Sequence, residues 1–374
     1  MARQRRHTDW GRLEPYRLKT LDRYIIKKFL GTFFFSIVLI LSIAIVFDLT
    51  EKIDEFFENQ APLKEIIFDY YLPFIPYYMN MFSHLFIFIS CIFFTSKLAN
   101  NSEIIAMLST GMSFNRIMRP YMISATFLFL LFFGLGGYVI PHATGRMLDF
   151  QDKYIQKFTS ENARNIQIKV EPGTMLYIET FQRRTNTGYR CSYEHFDGKT
   201  LQMRITADRI VYVEDNTWRI ESYTKRTFNG LYEDVEKGNR MDTIIPIVPD
   251  ELFITAEEAQ EMNNSELRHY IKRQTERGAG NTKAFETELH KRWAAPLGAF
   301  IMTLLALCLS SRKVRGGMGK NLGIGIALTA AYVLFSTVSS TFSVTGTMSP
   351  FMAVWLPNFI FLAIGLYLYT KAPK

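Results

Sequence analysis

Charge is what long parts of this chain lack. Five stretches contain no Asp, Glu, Lys or Arg: residues 29–47, 70–96, 120–145, 293–311 and 321–370. Cysteine and histidine are also scarce, 3 and 6 in 374 residues. So few cysteines exclude a disulfide-stapled mini-protein, and 48% hydrophobic content excludes a disordered chain. The sequence holds no H-E-x-x-H, no paired Cys ligands and no G-x-x-x-x-G-K-[ST]. The chain therefore binds no ATP by a P-loop of its own, and no cofactor is expected on it. Arg315-Gly316-Gly317-Met318-Gly319-Lys320 is rich in glycine but has no strand before it, so it reads as a loop rather than a phosphate cradle.

A hydrocarbon core about 30 Å thick needs roughly 20 apolar helical residues to cross it. Each charge-free stretch is long enough. The last, of 50 residues, suffices for two crossings, with a break at Thr345-Gly346-Thr347-Met348-Ser349-Pro350. Six transmembrane helices are expected, over 29–49, 70–98, 118–142, 293–311, 321–341 and 351–370. The first starts too late and runs too long for a cleavable signal peptide, so it is expected to remain as an anchor.

Lys and Arg in the flanks set the orientation. Residues 1–28, 97–119, 312–320 and the tail after 370 together carry a net +14, and residues 48–69 and 146–292 a net −6. Both termini are expected in the cytoplasm, with the 146–292 segment outside. The overall +8 thus reports topology, and nucleic acid is not an expected partner. The domain plan is a tail over 1–28 and three helices over 29–145 with a cytoplasmic helix at 101–111. An outer domain over 146–292 and three helices over 293–374 complete it.

Inside the outer segment the hydrophobic period falls to two, the sign of half-buried strands. Ile166, Ile168 and Val170 alternate, as do Met175, Tyr177 and Glu179 with their neighbours. Further strands are expected over 188–196, 199–206, 209–214 and 217–228, joined by Asp197-Gly198, Asp215-Asn216 and Asn229-Gly230 turns. This is an all-β, sandwich or jellyroll-like domain inserted in a helical membrane protein. With Cys191 its only cysteine, it holds no disulfide. Residues 255–275 read as a helix capped by Thr255, and 281–292 as a helix entering the fourth span.

Polar residues inside the apolar stretches are candidates for function. They are Asn80, Ser83 and His84 in the second span, and Asp48 at the outer end of the first. His84 reads as hydrogen-bonded to a neighbouring helix rather than as a proton relay. Asp48 reads as solvated, and His142 as a helix-end residue. No nucleophile–base pair or carboxylate pair emerges, so the chain is not expected to be an enzyme.

The segment between the second and third spans is more telling. Ser102 is placed to cap a short helix, Glu103 sits in its first turn, and Gly111 ends it. Ile104, Met107 and Leu108 share one face. A short amphipathic helix between two spans is either an interfacial helix or a peg for a groove on a cytoplasmic partner. The absence of Lys and Arg over 98–115 favours the partner.

These features resemble the permease subunits of the lipopolysaccharide export (Lpt) ABC transporter, the LptF/LptG-like family. The likeness rests on Leu21-Asp22-Arg23-Tyr24-Ile25 before the first span and on Ser102-Glu103-Ile104 running to Gly111-Met112-Ser113. Pro141, Glu288-Leu289-His290 and Pro296-Leu297 add to it, as does the three-plus-three helix layout around a β domain. The resemblance implies a transporter subunit for outer-membrane biogenesis. It would extract lipopolysaccharide from the outer leaflet of the inner membrane and pass it to a periplasmic β-jellyroll bridge.

The implied partners are a dimer of cytoplasmic ABC ATPases that hydrolyse the ATP, a second related permease and a single-span periplasmic jellyroll protein. Ser102, Glu103, Ile104, Met107, Leu108 and Gly111 would form the ATPase-coupling helix. Phe33, Phe34 and Phe35 would line an apolar substrate cavity. Lys52, Arg146 and Arg292 would face the anionic headgroup, with Lys64 and Lys291 nearby. The alternatives are a permease of another lipid or lipoprotein export system, or a membrane receptor with an extracytoplasmic β domain.

Overall fold

The computed structural model describes residues 19–155, 162–182, 185–230, 232–252, 258–276, 282–311 and 317–372. Its first helix, α1 (Thr20–Glu58), is far longer than its charge-free stretch. A short turn (Leu63–Glu65) and a wider π-type turn (Ile66–Tyr71) lead into α2 (Leu72–Met81), and α3 (Ser83–Asn100) follows. The second span therefore bends at Phe82, where the backbone bonds to Tyr78 and from Phe86 are kept. Pro73 and Pro76 remove donors owed to the turn before them, and the wider turn over Ile66–Tyr71 is where the backbone adjusts.

The short helix α4 (Glu103–Ser109) precedes α5 (Phe114–Gly134). A second π-type turn (Leu135–Val139) joins α5 to α6 (Ile140–Tyr154) without a break. His142 is thus inside a helix, with Nδ1 3.0 Å from the Tyr138 carbonyl oxygen, and is not the helix-end residue expected. Pro141 removes one donor from this continuous helix, and the wider turn just before it is where the backbone adjusts, so the proline does not stop the helix.

Six strands follow: β1 (Asn162–Glu171), β2 (Thr174–Gln182), β3 (Thr187–Asp197), β4 (Thr200–Glu214), β5 (Thr217–Asn229) and β6 (Tyr232–Ile244). They form one antiparallel sheet in the order β1-β2-β3-β4-β5-β6. The expected break at 207–208 is absent, because β4 is one strand of 15 residues. β6 was not expected: its Tyr-Glu-Asp-Val-Glu-Lys-Gly run is polar on both faces and nearly all exposed. It is strand because β5 supplies hydrogen-bonding partners along its whole length.

The sheet is curled. In a flat sheet β2 and β5 lie about 14 Å apart, yet the rings of Phe181 and Trp218 are 5.9 Å apart. Gly188 between them makes this possible, since a Cβ there would strike Ile210, Ile178 and Phe181. The chain after β6 then crosses the concave face, burying Ile245 and Ile247, and the Ile247 carbonyl oxygen accepts from Trp218 Nε1 at 3.0 Å. The inserted β domain thus makes its core with a single sheet and the strap that covers it.

The expected helix over 255–275 is shorter, and Thr255 lies outside the described residues. A four-residue turn (Glu258–Glu261) precedes α7 (Asn264–Glu276). Asn263 is the cap: its Oδ1 accepts from the Ser265 and Glu266 backbones at 2.9 Å, and Glu266 returns a bond to the Asn263 N–H. Three long helices close the fold: α8 (Thr282–Ser310), α9 (Gly317–Val344) and α10 (Pro350–Lys371). Among the described residues six helices are long and apolar enough to cross a membrane.

Cys191 is buried in the β-domain core, and burial pushes its thiol up to about 12. Replacing Trp218 with Ala should cost this domain about 3–5 kcal/mol, the usual loss for a buried large aromatic. In the intact chain Cys191 is expected to resist maleimide near neutral pH, and the Trp218→Ala variant to label faster. An unfolded thiol ionises near pH 8.5. The folded domain should therefore lose stability as pH rises above that value, and gain nothing from this group below it.

Candidate functional site

The bundle has a tightly held centre and two loosely held members. α8 is buried on most of its surface against α3, α5, α9 and α10. Its Pro296 lies mid-bundle. Two carbonyl oxygens beside the proline are met by side chains from other helices. Asn358 Nδ2 of α10 donates to the Ala294 carbonyl oxygen at 2.9 Å, and His84 Nε2 of α3 lies 2.9 Å from that of Ala295. The Tyr332 hydroxyl of α9 donates to Asn358 Oδ1 at 2.7 Å. His84 is therefore bonded to a neighbouring helix, as its setting in the sequence predicts. The recess around it, lined by Asn80, Ser83, Phe132 and Pro296, is too small for an acyl chain.

α1 is held differently. Ile25, Phe29, Phe33, Ile37 and Leu41 form one buried stripe, a residue every fourth position. The opposite face is exposed and apolar: Phe35 is 69% exposed, Val38 61% and Phe47 72%. Phe33 is thus a core residue, packed on Phe132 at 6.0 Å, whereas Phe34 and Phe35 look outward. The three consecutive phenylalanines are divided by helical periodicity, and Phe33 cannot line a cavity. α9 repeats the pattern, with Val333, Leu334, Val338 and Phe342 exposed.

The expected cations also divide. Lys52 pairs with Asp48 at 2.8 Å and bonds the Tyr70 hydroxyl. Asp48 also accepts from the Tyr70 and Tyr71 hydroxyls, so it is a bound carboxylate rather than a solvated one. Arg292 is 7% exposed, far too buried to meet a headgroup. It donates to the Ala259 and Gln260 carbonyl oxygens and to Asn264 Oδ1 at 2.9–3.3 Å, and lies 3.5 Å from Glu288. Its work is to strap the segment leaving the β domain onto α8. Arg146, Lys64 and Lys291 remain exposed.

At the opposite end of the bundle, α4 covers Glu103–Ser109, shorter than the expected 101–111, and Gly111 follows it with φ +83, a conformation other residues rarely adopt. Two other details differ. Ser102 is left-handed at φ +61 and its side chain caps nothing; Glu103 instead accepts from Asn101 Nδ2 at 3.3 Å. The apolar face also points inward. Ile104 is buried, and Met107 and Leu108 pack on the bundle core with Leu98 and Ile117. The face left outside consists of Ser102, Ile105, Ala106 and Ser109, with Ile105 51% exposed. Amphipathic spacing marked the two faces correctly but not which one the protein's own core would take.

Gly298 of α8 gives His84 its place, since a Cβ there would collide with the imidazole ring. Gly298→Ala should cost about 1–3 kcal/mol, the usual penalty for overpacking. Removing the ring as well, in His84→Ala/Gly298→Ala, should recover part of that loss. Thermal unfolding of the detergent-solubilised chain measures both.

A comparison with curated proteins gives no match. The family model described as the lipopolysaccharide export system permease LptF/LptG matches residues 23–371. With six apolar helices around an inserted β domain and a match over nearly its whole length, this integral inner-membrane protein belongs to the LptF/LptG family of lipopolysaccharide export permeases.

Proposed function

We propose that the chain is one permease subunit of an ABC transporter that extracts lipopolysaccharide from the outer leaflet of the inner membrane. The family match carries this reading. In it, both termini and α4 are cytoplasmic and the β domain is periplasmic. A multi-chain lipid needs an apolar cavity open sideways to the membrane. The outward faces of α1 and α9 supply apolar walls for such a cavity, which is completed by a second related permease. Phe34 and Phe35 stand on that wall. The exposed Arg146 is placed for the anionic headgroup.

The chain holds no cofactor of its own. ATP is hydrolysed on a dimer of cytoplasmic ATPases that receives α4 through Ser102, Glu103, Ile105, Ala106 and Ser109. The lipid then moves to the β domain. β1 and β6 are the edges of its sheet, and a single-span periplasmic jellyroll protein extends the sheet by strand pairing at one of them. The work is transport without covalent chemistry.

Glu103→Lys and Ile105→Glu should each leave the chain inserted in the membrane but lower ATP turnover of the assembled complex at least about tenfold, equivalent to ~1.4 kcal/mol of lost contact. Co-purification of the ATPase and phosphate release measure this. Normal turnover in both variants would remove α4 from the coupling role. Failure of ATP to release lipopolysaccharide from proteoliposomes holding the intact complex would sink the transport reading itself.

A further inference from the structure

We infer that the ion pair between Asp22 and Arg116 is the pin through which movement of α4 reaches α1. The inference rests on the reading that α4 meets an ATPase. Asp22 is 1% exposed. Its two carboxylate oxygens accept from the two terminal nitrogens of Arg116 at 2.5 and 2.7 Å, and Oδ2 also accepts from the Lys19 backbone N–H at 2.9 Å. Planar, two-pronged pairing of this kind fixes angle as well as distance.

The position of Arg116 gives the pair its meaning. Ser113, two residues after Gly111, caps α5, and its Oγ accepts from the Arg116 N–H. Arg116 therefore rides on the first turn of the helix that leaves α4. α4 itself packs its inner face on the same core as Leu21 and Ile25 of α1. From here to Leu41 α1 is held by one apolar stripe, and apolar contact is non-directional, so it permits rolling and sliding. The ion pair supplies the directional grip that the stripe lacks. A partly buried pair of this kind is poor evidence of stability in itself; its geometric specificity is what counts here.

The mechanical consequence follows from length. α1 has 39 residues, about 58 Å at 1.5 Å per residue. A push on α4 tilts the first turn of α5, Arg116 draws Asp22 with it, and a small turn at the pin is carried along the apolar stripe toward the polar contacts of Asp48. The stretch between the two carries the exposed face at Phe35, Val38 and Phe47, proposed to wall the lipid path. Asp22 is thus a positioning residue, remote from both ATP and lipid.

The test uses the complete complex in proteoliposomes, with spin labels at Phe47→Cys and Leu334→Cys, both exposed positions. ATPase co-purification, ATP turnover, the ATP-driven change in label separation and lipid released per ATP are read together. Asp22→Asn is expected to keep the ATPase bound and turnover within about twofold. It should lower the distance change and the lipid released per ATP about tenfold. The exchanged pair, Asp22→Arg with Arg116→Asp, should restore both to within about threefold.

Asp22→Asn with an unchanged distance change and yield per ATP would overturn the inference. If Asp22→Asn does not assemble, the exchanged pair decides. Restored movement supports the pin. A complex that hydrolyses ATP while α1 stays still refutes it, and so does failure of both variants to assemble, since the pair would then serve folding alone. A wild-type complex that moves α1 but releases no lipid would refute the transport reading and leave the pin standing.

Discussion

In hydrocarbon a polar group without a partner has no water to fall back on. That constraint bears on the buried polar side chains that meet α8, the most enclosed helix of the bundle, beside Pro296. They find partners on backbone carbonyl oxygens and on one another: His84 from α3 at Ala295, Asn358 from α10 at Ala294 and, behind it, Tyr332 from α9. Each tie demands a fixed relative height of two helices. Satisfying these side chains therefore ties α8 to three other helices, and Gly298 makes the room for His84.

Around this centre the packing is uneven in a way that suits a transporter. α1 and α9 each present one face to the bundle and leave an apolar face outside. In a soluble protein such faces would cause aggregation; in a membrane they meet lipid or another helix at little cost. Polar and apolar modes of holding a helix are thus separated in space. Polar bonds lock α3, α8, α9 and α10 near Pro296, while α1 has apolar contacts along most of its length and polar ones at its two ends, Asp22 with Arg116 and Asp48 with Lys52, Tyr70 and Tyr71.

The β domain answers a different problem. One sheet has two faces and must hide at least one. Curling brings strands far apart in the sheet into contact, and the strap through Ile245 and Ile247 covers the concave side. Arg292 then binds the returning chain to α8. An arginine that sequence position suggested for a lipid headgroup serves instead as the joint between the domain and the bundle.

The sequence alone determined the spans, the β character of the insertion and the place of α4. Charge exclusion and hydrophobic period are local properties that hydrocarbon and a half-buried sheet impose directly. It also exposed the family likeness through short motifs such as Leu21-Asp22-Arg23-Tyr24. Only the tertiary structure decided what each marked residue does. Ile104 turns inward because the bundle offers it a core. Phe33 parts from Phe34 and Phe35 because one helix face is covered. Lys52 and Arg292 each have a carboxylate four residues back on the same helix, and partners 18 and 28 or more residues away complete their capture. β6 exists because a neighbouring strand pairs with it despite a polar sequence. In each case the deciding partner lies on another element, and no local pattern records which side of a residue that partner will occupy.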